Sequence, residues 1–304
     1  MALPKELTVV TAGRADHVLA HAVPELSRRQ ARDLCSAGGV RRAGRSLKAG
    51  DPIEVGEVLT IKWDKLDQRL PDARERLAGK SKDIVPLGHG ASWQALRKPA
   101  GLPSVAGFIG DTLNFASMVA EDHGGNAALA DAGLMHRLDN DTSGVCLFAH
   151  TQDAHAAFLK QREAHVLWRR YFALVLDGIA ERGEMTWPIG HHPQDETRML
   201  AVIGDAPLRG EPQSARTVFE VVRRGGGAAL IALEIWGGRR HQIRAHLAAL
   251  GFAVLGDPLY GAPAARLGLH AARLHFRDPD TNAEVVIDAD PGEHFWKLAP
   301  TLAP

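Results

Sequence analysis

The chain has 304 residues, 45% hydrophobic and 24% charged, a composition ordinary for a globular protein. Its 36 lysines and arginines are balanced by 36 aspartates and glutamates, so net charge alone indicates no nucleic-acid partner. No apolar stretch approaches the roughly 18 residues that a membrane helix requires, and the first residues lack the basic-then-apolar order of a secretory signal.

Cysteine usage bears on the cellular compartment. The two cysteines, Cys35 and Cys146, both lie in apolar stretches. We therefore expect buried free thiols rather than a disulfide, as is typical of proteins in a reducing compartment. A cytoplasmic protein without membrane contact is expected, and we expect it to be a monomer.

The first well-marked element is a helix that begins at Ser27. Ser27 and Gln30 have the spacing of a capping box, and Gly38 is placed to end the helix. Ala31 and Leu34 lie three residues apart, which predicts one buried face.

Positive charge is concentrated around this helix. From residue 25 to 48, seven lysines and arginines stand against two acidic residues, a local excess of five. Such a patch is the footprint expected of phosphate-backbone binding, although a solvated protein surface would carry the same charges. Arg28, Arg29 and Arg32, near the helix start, are the candidate nucleic-acid-binding residues here.

The order of motifs in this region resembles the S4-like RNA-binding domain. Ala43 departs from its pattern, because that domain usually has an asparagine at this turn. The resemblance implies a small α+β RNA-binding domain over residues 1–63. The matching motifs are Arg-x-Asp at 14–16, LSRRQ at 26–30, GGV at 38–40 and GD at 50–51.

Residues 64–92 are rich in charge and end in glycine and serine, which predicts a linker with one short helix over 72–78. From residue 93 onward, strands outnumber helices and several are joined by hairpin-like turns. This favours an α+β domain over 93–304, built around a mixed, mainly antiparallel β-sheet. Strands are predicted at 93–97, 144–149, 168–176, 216–222, 228–235 and 284–288, and helices at 111–121, 151–163 and 240–250.

Residues 136–144 read HRLDNDTSG and form the most informative stretch of the chain. The carboxylate of Asp139 lies two residues after the guanidinium of Arg137, among residues that favour turns. An apolar run over 145–149 follows at once. Asp139 is therefore expected on a tight loop that leads into a buried strand, a place where proteins often carry catalytic groups. A plain turn that opens a strand would show the same pattern.

A second charged motif, GGRRHQIR at 237–244, opens the last predicted helix. Arg240 and Arg244 are four residues apart, which predicts that they share a helix face. Cations at a helix N-terminus oppose the helix dipole, so a nearby carboxylate or phosphate is expected to offset their cost. A surface helix start with scattered charge is the alternative.

Tyr171 is one of two tyrosines in the chain and belongs to the predicted strand 168–176, WRRYFALVL. A lone tyrosine on a strand is most often a core residue whose hydroxyl reaches the edge of the core. The strand pattern alone therefore gives Tyr171 no function.

Together these stretches resemble the RluA/RluD family of pseudouridine synthases, from about Arg14 to Phe295. HRLDNDTSG matches the family signature HRLDxxTSG throughout. Gly237, Phe252 and Ala253 depart from the family pattern. The other matching segments are RKPAGL at 97–102, RRYFALV at 169–175, GRRHQIR at 238–244 and GDPLYG at 256–261.

The resemblance implies an isomerase that breaks the N1–C1′ bond of a uridine in RNA, turns the uracil and rejoins C5 to C1′. Asp139 would be the catalytic carboxylate, Arg244 its basic partner and Tyr171 the aromatic face that receives the flipped base. Arg137 would fill the space that the base leaves. His136 and Arg239 complete the expected substrate-binding set.

No metal or cofactor is expected, because this isomerisation oxidises nothing and imports no group. Asp141 lies two residues after Asp139, but the loop lacks the further ligands of a calcium site. His241 and His246 are five residues apart and do not have zincin spacing.

Large-subunit ribosomal RNA is the expected substrate, because family members that carry the N-terminal module mostly modify it; transfer RNA is the alternative. A catalytically silent RNA-binding or ribosome-assembly protein is a second interpretation, which the departures at Ala43, Gly237, Phe252 and Ala253 allow. The third is an unrelated hydrolase that pairs Asp139 with a histidine. The sequence lacks the nucleophile elbow or zinc spacing that would favour it.

Overall fold

The structure, a computed structural model, describes residues 5–23, 26, 28–67, 79–106, 114–195 and 197–304. These fall into two compact units: the residues up to Lys80 together with Ala106 and Asn114, and the residues of 81–105 and 115–304. No helix of the described ranges is long and apolar enough to cross a membrane. The short helix expected over 72–78 and the start of the helix expected over 111–121 lie outside the described residues. The domain boundaries expected from the sequence stay a prediction.

The N-terminal unit combines helices with small antiparallel sheets. In the first sheet the strand order is β1-β6-β3-β4, and β2 pairs with β5 in a second. Its elements are β1 Glu6–Thr8, β2 Gly13–Arg14, α1 Ala15–Ala22, α2 Arg28–Ser36, β3 Val40–Arg42, β4 Arg45–Ser46, β5 Pro52–Ile53, β6 Val58–Ile61 and α3 Asp64–Asp67.

Helix α2 confirms the helix expected in this unit, although Ser27 lies outside the described residues. Ala31, Leu34 and Cys35 are buried in the core of the unit, as the periodicity predicts. Gly38 adopts a φ of +70°, and its N–H donates to the carbonyl of Cys35. The helix ends here because glycine takes this left-handed conformation without steric cost.

The second unit is built on one large sheet. Nine of its described strands join in the order β11-β15-β16-β10-β17-β9-β8-β7, with β18 paired to β17. Its elements are β7 Val85–His89, β8 Trp93–Lys98, α4 Phe115–Asp122, β9 Ser143–Ala149, α5 Gln152–Glu163, β10 Trp168–Leu176, β11 Arg182–Met185, β12 Ile189–His191, β13 Met199–Ala201, β14 Arg209–Gln213, β15 Arg216–Gly225, β16 Ala228–Trp236, α6 Gln242–Ala249, β17 Leu269–Arg277, β18 Glu284–Asp288 and α7 Glu293–Trp296.

This sheet confirms the expected mixed, mainly antiparallel α+β fold. Its strands pair antiparallel except β9 and β17, which are parallel where His270 and Ala271 lie beside Ser143 and Gly144. The neighbouring strands β9, β17, β10 and β16 form the middle of the sheet. The turns that enter or leave these strands therefore lie within reach of one another.

Three strands of this sheet, β7, β11 and β17, were not expected from the sequence. β7 lies within the predicted linker 64–92. The prediction of a linker is therefore wrong for residues 85–89, which form a strand. It contains Pro86 and Gly88, which disfavour an inner strand but are tolerated at the sheet edge where β7 lies. β17 carries polar residues such as His270 and His275, which hide the pattern of a central strand.

His270 is fully buried in β17 and keeps a neutral ring there. Its Nε2 lies 2.9 Å from the carbonyl oxygen of Ala289, which only accepts, so Nε2 carries the proton. Nδ1 then accepts from the hydroxyl of Ser143, 2.7 Å away. Burial lowers the pKa of His270 to about 4. The protein therefore holds a histidine that protonates far more readily after unfolding.

We expect the free energy of unfolding to fall as pH drops from about 6.5 to about 4. In this window His270 is protonated only in the unfolded chain, so acid favours unfolding, by up to roughly 3 kcal/mol for this residue. Urea denaturation at pH 7 and pH 5 measures the effect. A His270→Gln variant, whose amide does not titrate, should show a smaller difference. An equal pH dependence in both proteins would contradict the prediction.

Candidate active site

The loop that carries Asp139 is tied to the segment that follows β8. Lys98 is fully buried, and its Nζ donates to the carbonyl oxygens of Leu102 and Asn140 at 2.6 and 3.0 Å. Gly101 N–H also donates to the Asn140 carbonyl. The burial of Lys98 and its bonds to these carbonyl oxygens give this lysine a structural role.

Ser104 fixes the other side of Asp139. Its hydroxyl donates to the Leu138 carbonyl at 2.6 Å and accepts from the Leu138 N–H at 3.0 Å. Thr142 N–H donates to the carbonyl of Asp139 itself. The backbone is thus held before, at and after Asp139, which limits where its carboxylate can point.

Replacing Ser104 by alanine should lower kcat while leaving RNA affinity nearly unchanged. The change leaves the two buried backbone groups of Leu138 without their partner, a cost of about 1–3 kcal/mol, and frees the loop beside Asp139. Single-turnover rates and RNA binding measured on the same preparation test this. Ser117→Ala, in the half-buried part of helix α4, serves as the control. Equal rates for Ser104→Ala and the unchanged protein would contradict the expectation.

Arg244 lies buried in helix α6 between two carboxylates. Its Nη1 lies 3.1 Å from Oδ2 of Asp139, while Nε and Nη2 donate to the two oxygens of Asp257 at 2.7 and 2.8 Å. Burial alone would lower the pKa of Arg244, but hydrogen bonds and the charges of both aspartates raise it above its usual value. The guanidinium is therefore a fixed positive charge beside Asp139.

Asp257 is the partner that sequence reasoning missed. It is fully buried, and its Oδ1 also accepts the N–H groups of Leu259 and Tyr260 at 2.9 and 3.2 Å. Burial would raise the pKa of Asp257, yet the bonds and charge of Arg244 hold it below its usual value. The sequence signal was present, since GDPLYG contains one charged residue and a buried arginine needs a carboxylate.

Tyr171 lies on β10, 4% exposed, at the same cavity as Asp139 and Arg244. Burial raises the pKa of its phenol, so the hydroxyl stays protonated at neutral pH. The guanidinium carbon of Arg169 lies 6.0 Å from the centroid of its ring.

His241 adds a group that the sequence placed only within a motif. Its Nδ1 lies 3.1 Å from the Tyr260 hydroxyl, and its Nε2 lies 4.0 Å from Oδ2 of Asp139. Burial lowers the pKa of His241 to about 4, which leaves the ring neutral. With a φ of +54°, His241 also delays the helix start to Gln242. Arg240 therefore precedes the helix, and the shared face predicted for it and Arg244 is wrong.

Gln242 holds the turn that precedes α6. Its Nε2 donates to the carbonyls of Arg216 and Trp236, while its Oε1 accepts the N–H of Arg239 at 3.0 Å. Gln242 is 2% exposed, so these bonds form away from solvent. The turn between β16 and α6 is thereby fixed beside Asp139.

The side chains enclose a cavity of about 60 Å³. A space of this size holds a few water molecules. Arg169, which approaches the face of Tyr171, also lines this cavity. Among the lining residues are Arg137, Asp139, Tyr171, Arg239, His241 and Arg244.

Five of the expected site residues thus meet at one cavity: the three expected catalytic residues with Arg137 and Arg239. His136 does not line it and is 9% exposed. Burial, together with the charges of Arg169 and Arg162, lowers the pKa of His136, so its ring is neutral. The position of His136 outside the cavity therefore does not favour the predicted contact between this residue and the substrate.

The remaining expected site residues belong to the N-terminal unit. The side chains of Arg28 and Arg29 lie outside the described residues. Arg32 Nε lies 3.6 Å from the buried carboxylate of Asp16, which Arg14 also contacts. Burial would raise the pKa of Asp16, but these arginines lower it. Within the described ranges, no cluster of three histidine, cysteine or acidic residues could hold a metal ion.

Comparison with known proteins connects this geometry to a family. Residues 93–249 match the profile described as RNA pseudouridylate synthase, and residues 13–59 match that of the S4 domain. An uncharacterized RNA pseudouridine synthase of Chloroflexus aurantiacus is 33% identical over 87% of this chain and 80% of its own length. The ribosomal large subunit pseudouridine synthase D of Zymomonas mobilis is 30% identical over 91% of this chain and 90% of its own length.

The fold is also that of solved structures. The human RNA pseudouridylate synthase domain containing 1 superposes with a TM-score of 0.58 at 21% identity, covering 69% of this chain and 85% of its own. The human domain containing 4 protein gives 0.57 at 19% identity, covering 77% of this chain and 98% of its own. The chain therefore belongs to the RNA pseudouridylate synthase family, carries an S4 domain and isomerises uridine in RNA to pseudouridine.

Proposed function

We propose that this enzyme modifies large-subunit ribosomal RNA in the cytoplasm, with Asp139 as its catalytic carboxylate. Two observations support the substrate: relatives from Xanthomonas campestris and Zymomonas mobilis are named ribosomal large subunit pseudouridine synthase D, at 28% and 30% identity over most of the chain. The observation that carries the catalytic assignment is the contact between Asp139 and Arg244 in a cavity that Tyr171 also lines.

Asp139 is suited to act on the ribose. An ionised carboxylate can attack C1′ as a nucleophile or remove a proton at C2′ as a base, and either route releases the uracil. The Arg244 guanidinium, whose Nη1 lies 3.1 Å from Oδ2 of Asp139, places a fixed positive charge beside this carboxylate. Asp257, which holds the other edge of Arg244, keeps the guanidinium aimed at Asp139.

Tyr171 and Arg137 handle the base in this proposal. The ring of Tyr171 offers a face on which the flipped uracil stacks, and its protonated hydroxyl remains a hydrogen-bonding group during the turn. Arg137 is exposed at the rim of the cavity, where it can fill the gap left in the RNA stack. Arg239, at the turn before α6, is placed for a phosphate contact.

The S4 domain is proposed to bind the RNA backbone through Arg28 and Arg29. A double variant with glutamine at both positions should bind RNA more weakly at low salt. Its plot of log affinity against log salt should be shallower by about 1 to 2, since each lost phosphate contact on single-stranded RNA removes roughly 0.7. Arg273→Gln, which removes an exposed partner of Asp288, is the control. An unchanged slope in the double variant would remove these arginines from the interface.

Pseudouridine mapping of total RNA, from cells with and without the gene, tests the proposed substrate. Loss of one or a few sites in large-subunit ribosomal RNA is the expected result. Loss of sites in transfer RNA would instead establish the alternative substrate. An unchanged map, joined by failure of the purified protein to isomerise uridine in ribosomal RNA, would leave a catalytically silent RNA-binding protein.

A further inference from the structure

A second, larger cavity lies against the one that contains Asp139. Its volume is about 360 Å³, against about 60 Å³ for the catalytic cavity, and falls within the range of pockets that hold small organic ligands. The two cavities share Arg169, Ile235, Gly238 and Arg239 as lining residues. Whatever occupies the second cavity is therefore a direct neighbour of whatever occupies the first.

The charge of this cavity suits a phosphodiester. Arg162, Arg169 and Arg239 line it, against one carboxylate, that of Glu163. Within the described part of the chain, none of these three arginines forms an ion pair with a carboxylate. Guanidinium groups without a protein counter-ion around a concave site are the arrangement that phosphate recognition requires.

Two tryptophans on the same wall suit a base. The ring of Trp168 stacks on His275, with centroids 5.1 Å apart and planes 17° from parallel. The guanidinium carbon of Arg216 lies 4.3 Å from the ring centroid of Trp236. Each indole is thus held by a neighbour on one side, so little side-chain freedom remains to be lost when a base stacks on it.

The wall that the two cavities share has a glycine, Gly238, where a side chain would meet Arg169. Gly238 borders both, and a Cβ atom added there would lie 3.3 Å from a guanidinium nitrogen of Arg169. With a φ of +58°, the backbone also has the conformation that glycine adopts most readily. A larger residue would crowd the side chain that the two sites have in common.

We propose that this second cavity binds a nucleotide adjacent to the target uridine, with its base on Trp168 or Trp236 and its phosphate on Arg162, Arg169 or Arg239. The inference rests on the proposed placement of the target uridine against Asp139 and Tyr171. If the second cavity binds this nucleotide, the enzyme selects its substrate partly by the base that flanks the target uridine. Arg169, which lines both cavities, would couple filling of this site to access to the face of Tyr171.

The test uses a nine-nucleotide fluorescent RNA with one central uridine flanked by adenosines, and two versions in which the base before or after the uridine is removed. Anisotropy gives the affinity of the full-length protein for each. Removing the base on one side should weaken binding by roughly 10- to 100-fold, and on the other side much less. A Trp168→Leu variant should bind the intact RNA as weakly as the unchanged protein binds the abasic RNA that is more strongly affected. Removing that base should then lower the affinity of the variant only slightly further.

Two variants guard against an effect on folding. Arg162→Gln alters an exposed side chain of this cavity and should weaken binding of all three RNAs with a shallower salt dependence. Arg170→Gln, on the same strand as Trp168 but paired with Glu220 and outside both cavities, should keep the unchanged protein's preference for the intact RNA. Equal affinity for intact and abasic RNAs, no binding of the intact RNA, or an unaltered preference in Trp168→Leu together with an unaltered affinity in Arg162→Gln would overturn the proposal. Binding is measured without turnover, so this test does not depend on the catalytic role of Asp139. That role would be refuted separately, by an Asp139→Asn enzyme that remains active.

Discussion

Asp139→Asn should lose pseudouridine formation by at least roughly 10³-fold, as expected when the group that reacts with substrate is removed. An amide of nearly the same volume replaces the carboxylate, so the cavity keeps its shape but loses the anion beside the ribose. RNA affinity should stay nearly unchanged, because the arginines that we propose to contact phosphates are untouched. Arg244 keeps its two bonds to Asp257, so the variant should fold normally.

Single-turnover conversion of a uridine-containing ribosomal RNA fragment, with binding measured in parallel, separates the two effects. Asp141→Asn is the matched control, since it makes the same chemical change two residues further along the same loop at an exposed position. We expect this control to retain its rate. Turnover by Asp139→Asn at a rate near that of the control would refute the proposed mechanism.

Asp257→Asn should destabilise the protein and slow the reaction together. Removing one partner of a buried ion pair typically costs about 3–5 kcal/mol, because the other charge is left in the interior without compensation. Here Arg244, which is 3% exposed, keeps only Asp139 as a carboxylate partner, so we expect a loss near the lower end of this range. Without its bidentate partner the guanidinium is no longer aimed at Asp139, so we expect a rate loss of roughly 100-fold, comparable to the loss of an orienting outer-shell group.

Urea denaturation measures the stability change, and rates taken well below the unfolding midpoint measure the catalytic one. The matched control is Asp288→Asn, which removes the carboxylate that Arg273 contacts at 2.6 and 2.9 Å on the surface. Exposed pairs contribute about 0–1 kcal/mol, so this variant should be nearly silent. If Asp257→Asn were as silent as the control, Asp257 would have no role in positioning Arg244.

Much of the fold could be predicted from the local pattern of residues. The strands over 168–176 and 284–288 have the bounds expected from alternation and turn residues, and the hairpin near Gly225 joins two further expected strands. These elements are readable because their stability depends on side-chain spacing that the sequence displays directly. β7 was not predicted, because its proline and glycine disfavour a strand except at a sheet edge. The sequence does not show which strand will lie at that edge.

For the candidate site as well, the residues could be predicted from the sequence but their arrangement could not. Asp139, Tyr171 and Arg244 could be singled out because each lies in a distinctive local motif. Their meeting could not be derived from spacing, since Asp139 and Arg244 are 105 positions apart and meet only when β9 and the turn after β16 are placed by the sheet. The resemblance of the motifs to a family supplied what local pattern could not.

The class of fold and the family could thus be predicted from the amino-acid sequence, and candidate reacting groups could be named, because propensity, periodicity and motif order are properties of neighbouring residues. Three features became visible only in the folded chain: Asp257 pairs with Arg244, His136 is buried, and a second cavity lies beside the first. Each of these depends on burial and on contacts between distant segments. Both arise from the packing of the whole sheet, which removes water from some charges and leaves others at the surface.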